Sequence, residues 1–181
     1  MKDASETPGK NLEYIKSLNR TNMLTILLAL CEDEGLAKQI SAKAKDLLSD
    51  VDAGEIEEQV FDALNTIFIE ELWKNSGKDY FGGYHDETEV AYEMVEDAVS
   101  KPLQNMKRYR ALGMKDIEKK YCVGIVAGLL RYGDEGENEF HEAVPDDPYT
   151  IADDVFAEWK EHNPPEEWDE VKATFDRFAE A

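Results

Sequence analysis

Apolar residues recur along this chain at three- and four-residue spacing, the period of a helix with one buried face, and nowhere alternate with period two for long enough to make a strand. Leu12, Tyr14, Ile15 and Leu18 make a short amphipathic helix. Thr21 can cap a second, running through Met23, Leu24, Ile26, Leu27, Leu28, Leu30 and Cys31, apolar enough to be expected inside the fold. Gly35 separates it from a third, with Leu36, Ile40, Ala44, Leu47 and Leu48 on one side. Asp52 followed by Glu55 opens a fourth, whose stripe is Ile56, Val60, Leu64, Ile67 and Phe68, and the pattern carries on to Trp73.

The glycine-rich stretch from Asn75 to His85 then breaks the pattern and reads as a loop carrying Tyr80, Phe81 and Tyr84. Asp86 caps the next helix, which buries Val90, Met94, Val95, Ala98 and Val99 and turns Glu87, Glu89, Glu93 and Glu96 outward. Pro102 predicts a kink or break near 99–101, and Gly113 ends the helix. Tyr121 to Leu130, YCVGIVAGLL, is free of charge and apolar on every side, so other helices must surround it. Gly124, Ala127 and Gly128 would let one neighbour come close. A glycine and acid loop is expected after Tyr132 and a single turn from Phe140 to Val144. Asp147 with Pro148 opens a helix through Ile151, Val155, Phe156 and Trp159, and Pro165 starts a last one with Trp168, Val171, Phe175 and Phe178.

The expected fold is therefore all-α: antiparallel helical hairpins stacked as a bundle or a short α-solenoid, centred on 121–130. Residues 1–10 read as a flexible tail and 11–181 as a single helical domain, subdivided, if anywhere, near 75–86. Residues 47–67, LLSDVDAGEIEEQVFDALNTI, have paired leucines, a turn with two aspartates and a helix with an Ala-Leu step, and this segment resembles one HEAT-type repeat unit. The resemblance covers about a tenth of the chain and implies stacked helix pairs. Ile56 and Glu57 depart from the valine and arginine common in such repeats, and two further copies in register are not found.

Charge narrows the set of partners. The chain has 181 residues, 41 acidic against 20 basic, for a formal net charge of -21. Such a surface repels phosphate backbones and anionic membranes, which makes nucleic acid a poor candidate partner. An acidic balance also suits a salt-adapted host, although lysines remain frequent. Hydrophobic residues at 42% are enough for a core. Cys31 and Cys122 lie in apolar helical runs and read as core thiols without metal-binding spacing. The sequence shows neither a secretory signal pattern nor an apolar run near 18 residues, so a cytoplasmic location is expected.

Recognisable chemistry is sparse. Gly77-Lys78 and Gly9-Lys10 end like phosphate loops, but Leu72 and Ala4 occupy the first glycine's place. Gly82, Asn138 and Trp159 stand three residues before the histidines, so no Glu-x-x-His di-metal motif exists, although Glu158 and His162 share a helix face. Phe61 occupies the position where a calcium loop beginning at Asp50 needs its bidentate glutamate. No metal, cofactor or catalytic set is assigned.

Two candidate surfaces follow. Trp73, Tyr80, Phe81, Tyr84 and His85 offer stacking faces and hydroxyls on a flexible backbone, suited to a peptide or small ligand unless they fold inward as a plug. Lys107, Arg108, Arg110, Lys115, Lys119 and Lys120, with Lys101, form a basic island in an acidic chain. Pairing with the acidic last third is its cheapest explanation, ahead of an acidic partner. The expected function is a non-enzymatic helical-repeat module that binds another protein, as a monomer or homodimer. The alternative is a small enzyme or ligand-binding protein with a pocket between the aromatic loop and 115–132, using His85 with Asp86 or Glu89. A decoy for a nucleic-acid-binding protein ranks third.

Overall fold

The computed structural model describes residues 8–78 and 83–179. The protein is all-α, as the periodicity requires, and divides after Asp50 into two compact units, Met1–Asp50 and Val51–Ala181. That boundary is far from the 75–86 stretch where the turn residues pointed. Residues 1–7 of the expected tail lie outside the described residues.

The first unit holds α1 (Pro8–Ser17), α2 (Arg20–Leu30) and α3 (Glu34–Leu48). Asn19, not Thr21, caps α2, its side chain accepting from the Asn22 amide at 2.9 Å. Asp33 caps α3 through the Leu36 amide at 2.9 Å. The expectation that α2 packs inside is overturned: neither α2 nor α3 contains a buried residue. Cys31 is likewise exposed rather than a core thiol. Apolar character asks for burial but does not supply the surface that provides it.

The second unit contains α4 (Ala53–Asn65), α5 (Ile69–Asn75), a two-stranded ladder of β1 (Gly77–Lys78) and β2 (Tyr84–His85), α6 (Glu87–Ala111), α7 (Lys115–Glu135), α8 (Glu139–Ala143), α9 (Asp147–His162), a 3-10 turn at Pro165–Glu167 and α10 (Asp169–Ala179). The ladder corrects the reading of 75–85 as loop throughout: Gly77 pairs with His85 and Lys78 with Tyr84, antiparallel, while Gly77 takes the left-handed φ of 87° that its lack of a side chain permits. Helix α7 also runs past Tyr132, where a loop was expected, and α9 begins one residue earlier than the Asp-Pro pattern suggests, with Asp146 flanking it.

Helix α7 is the axis of this unit, with α4, α6, α9 and α10 packed around it. From Tyr121 to Leu130 only Tyr121 and Val123 keep partial exposure. The glycines set how close α4 can come. A Cβ added to Gly124 would stand 2.6 Å from both the Ala53 carbonyl oxygen and Ile56 Cβ, and one on Gly128 would stand 2.6 Å from Val60 Cβ and 2.7 Å from the Glu57 carbonyl oxygen. Two missing side chains a helical turn apart thus let α4 lie almost backbone to backbone on α7, burying Ile56, Val60 and Leu64.

Helix α6 crosses Pro102 without a break, against the expectation at 99–101. Val95, Val99 and Met106, on both sides of the proline, are all fully buried in the same core. Their packing outweighs the lost hydrogen bond. Gly113, at φ 67°, terminates α6 as predicted: its amide donates to the Arg110 carbonyl at 2.9 Å and the next amide, of Met114, to Tyr109 at 3.0 Å. Asn138 does work that no sequence pattern signalled. Its amide nitrogen donates to the Leu64 and Ile67 carbonyls at 2.9 and 3.0 Å, and its oxygen accepts from the Tyr132 hydroxyl at 2.8 Å and the His141 amide at 3.1 Å. One side chain so ties the end of α4 to α7 and starts α8.

Gly124→Ala/Gly128→Ala is expected to lower the free energy of unfolding by about 2 kcal/mol, since overpacking at backbone contacts exceeds the roughly 1 kcal/mol of helix propensity gained at each site. Urea unfolding followed by circular dichroism measures the loss.

Candidate interaction surfaces

The basic island is spent inside the second unit. Lys107 Nζ lies 3.1 Å from Glu158 Oε2, Arg110 Nη1 3.0 Å from Glu158 Oε1, and Arg110 Nε 2.7 Å from Glu118 Oε1. Lys119 meets Glu170 at 2.8 Å, Lys115 meets Glu167 at 3.9 Å, and Lys120 donates to the Val51 carbonyl at 2.8 Å. The carboxylates at 158, 167 and 170 belong to the acidic last third, so the intramolecular explanation describes this geometry. Arg108 alone of the six points into solvent with no ion pair among the described residues.

Glu118 is 2% exposed, a buried carboxylate that needs full satisfaction. Arg110 supplies the countercharge, and Asn163 adds a longer contact at 3.4 Å while bonding the Trp159 carbonyl at 3.0 Å. Trp168 Nε1 donates to the Asn163 carbonyl at 2.9 Å. Helices α6, α7 and α9 are thereby joined through one polar chain, beside which Cys122 is fully buried, its thiol pushed up by desolvation. Burial raises the Glu158 carboxyl, but hydrogen bonds from Lys107 and Arg110 outweigh that and hold it below its usual value. Glu158 is therefore not available to His162 as a metal-binding pair. Among the described residues no group of three or more His, Cys, Asp or Glu is placed to hold a metal ion.

The aromatic candidates divide. Trp73, in the last turn of α5, is 58% exposed, and Tyr84, on β2, is 71% exposed. Neither plugs the core. His85 is exposed and sits opposite Gly77 in the ladder, while Tyr80 and Phe81 lie outside the described residues. Phe68, read from the sequence as part of the buried stripe, is instead 66% exposed, because α4 stops at Asn65 and Phe68 becomes the residue before α5. Asp86 is occupied as a cap, accepting from the Thr88 amide at 3.0 Å and the Glu89 amide at 3.4 Å. It is poorly placed to act as a base beside His85.

The surface that sequence reasoning missed is α2. Met23, Leu24, Ile26, Leu27, Leu28 and Leu30 are each 40–62% exposed, and Tyr14 and Ile15 on α1 and Leu36 and Leu47 on α3 are exposed as well. Among the described residues the three helices do not pack along one another. The available signal was a ten-residue run, 21–30, with no charge in a chain that is one-third charged. Comparison with protein-family models, with curated proteins and with solved structures finds no match.

Arg110→Ala leaves Glu118 buried and unpaired, and is expected to cost about 3 kcal/mol of stability, whereas Arg110→Met/Glu118→Met costs less than that single change. Chemical denaturation of the three proteins checks the order. For Glu158, whose folded value is depressed, the stabilisation is complete above the ordinary carboxyl range and lost as pH falls through the folded value. Stability measured between neutral and acid pH is expected to fall less steeply in Glu158→Gln.

Proposed function

We propose that the protein is a non-enzymatic helical module that mediates protein–protein interaction in the cytoplasm. The observation that carries this reading is α2, a helix without charge after Arg20 and with six large apolar side chains open to solvent. Isolated helices of 10–15 residues are marginal in water, and an exposed apolar patch of several hundred Å² marks a contact surface. The second unit supplies a stably packed, strongly acidic body, with Phe68, Trp73 and Tyr84 as a further exposed aromatic surface. The resemblance of 47–67 to a HEAT unit agrees with a helical scaffold. Membrane insertion does not account for α2: at 11 residues it is too short, and no described helix is long and apolar enough to cross a membrane. The enzyme alternative draws on His85, but its proposed partner Asp86 is occupied in capping α6.

The test compares immobilised full-length protein with its Leu24→Gln/Leu28→Gln variant in extract of the native host, quantifying retained proteins, including untagged copies of this chain. A specific set depleted about tenfold or more by the variant is the expected result. Equal recovery from both proteins overturns the reading.

A further inference from the structure

The exposed face of α2 carries a pattern that fits its own reverse. Residues four apart form one ridge along a helix, and Arg20, Leu24, Leu28 and Glu32 lie on one such row, Glu32 following a C-cap, Cys31, that keeps helical backbone angles. Leu24 at 55% and Leu28 at 62% are the most exposed of the six apolar side chains on the helix. The row reads basic, apolar, apolar, acidic. Rotated by a two-fold axis midway between Leu24 and Leu28, Arg20 falls opposite Glu32 of the other copy, and Leu24 opposite Leu28. That is the self-complementarity a two-fold interface requires.

Relative to α2 itself a cation at the start and an anion beyond the end oppose the helix dipole, although Glu32 also stands just ahead of Asp33, the cap of α3, and among the described residues neither Arg20 nor Glu32 forms an ion pair. An antiparallel neighbour reverses both relations at once, whereas a parallel one would set Arg20 against Arg20 and Glu32 against Glu32. The distribution of charge along the chain points the same way. Residues 1–50 hold seven basic and eight acidic side chains, a net -1, while 51–181 hold thirteen and thirty-three, a net -20. Two copies can therefore approach at the first unit, and repel elsewhere.

At about 100° per residue Leu24 and Leu28 face an antiparallel seam of this kind, with Leu27 at its flank, while Met23, Ile26 and Leu30 point away from it. Among the described residues neither α1 nor α3 packs along α2, so the Leu24 and Leu28 row is open to a partner. Resting on the proposed interaction role, we infer that the partner of α2 is a second copy of this chain, the two α2 helices meeting antiparallel about a two-fold axis midway between Leu24 and Leu28.

The test uses the full chain. At about 50 μM, light scattering or sedimentation is expected to give twice the 20.6 kDa chain mass. Leu24→Glu/Leu28→Glu is expected to be monomeric, with unchanged thermal unfolding of the second unit. At low salt Arg20→Glu weakens association about tenfold, and Arg20→Glu/Glu32→Arg, which restores opposite charges across the two-fold, recovers it. A dimer that survives the leucine substitutions overturns the surface, and failure of the charge swap to recover association overturns the antiparallel arrangement. Wild-type protein that stays monomeric at about 200 μM overturns the second copy. If the leucine variant then still loses a host protein, the interaction role stands with a different occupant. If it loses nothing, both fall.

Discussion

The close approach of α4 to α7 is made possible by what two residues lack. Gly124 and Gly128, one turn apart on α7, leave the backbone of α4 room to seat Ala53, Ile56, Glu57 and Val60 directly on the axis. Helices α6, α9 and α10 pack around α7, while α5 lies against α6 and α8. With α4 pressed this near, Leu64 and Leu72 reach the same core as Ile125, Leu129 and Tyr132, and α6 and α9 close over the remaining sides. A methyl group at either glycine would meet carbonyl oxygens as well as side chains, and backbone has less freedom to retreat. Helix propensity has been given up there in exchange for dispersion contacts along the whole α4–α7 seam.

Burying an axis from all sides leaves polar loose ends, and two side-chain networks resolve many of them, while Arg110 Nη2 and Trp159 Nε1 stay buried without a hydrogen-bond partner. Asn138 satisfies carbonyls where α4 ends, and the Arg110 and Glu118 pair, extended through Glu158, Lys107, Asn163 and Trp168, fixes how α6, α7 and α9 meet. Oriented charge-assisted bonds of this kind select one register among apolar packings of similar energy, a specificity that hydrophobic contact alone does not give. They also consume most of the chain's clustered cations. What remains outside is a strongly negative shell interrupted by Phe68, Trp73 and Tyr84.

The two units solve opposite problems. The second contains its own core and exposes charge; the first contains nearly balanced charge and exposes its apolar side chains.

Much of this architecture was legible in the residues themselves. Helical periodicity, the caps at Asp52 and Asp86, the stop at Gly113 and the central position of 121–130 follow from short-range rules, because each depends on neighbours within one or two turns. Other features depend on contacts between residues far apart in sequence. Pro102 reads as a helix breaker until Val99 and Met106 are found in one core; Phe68 reads as buried until α4 ends three residues before it; Asn138 gives no sign of holding α4. The basic island could be seen as a cluster, but its carboxylate partners lie up to about 50 residues away, and only folding brings them within bonding distance. The apolar runs at 23–30 and 121–130 look nearly alike as strings of letters, and hydrophobicity fixed that both demand cover. Which run obtains it inside the chain, and which stands open, was decided by where the other helices pack, a property of the tertiary structure that no local pattern encodes.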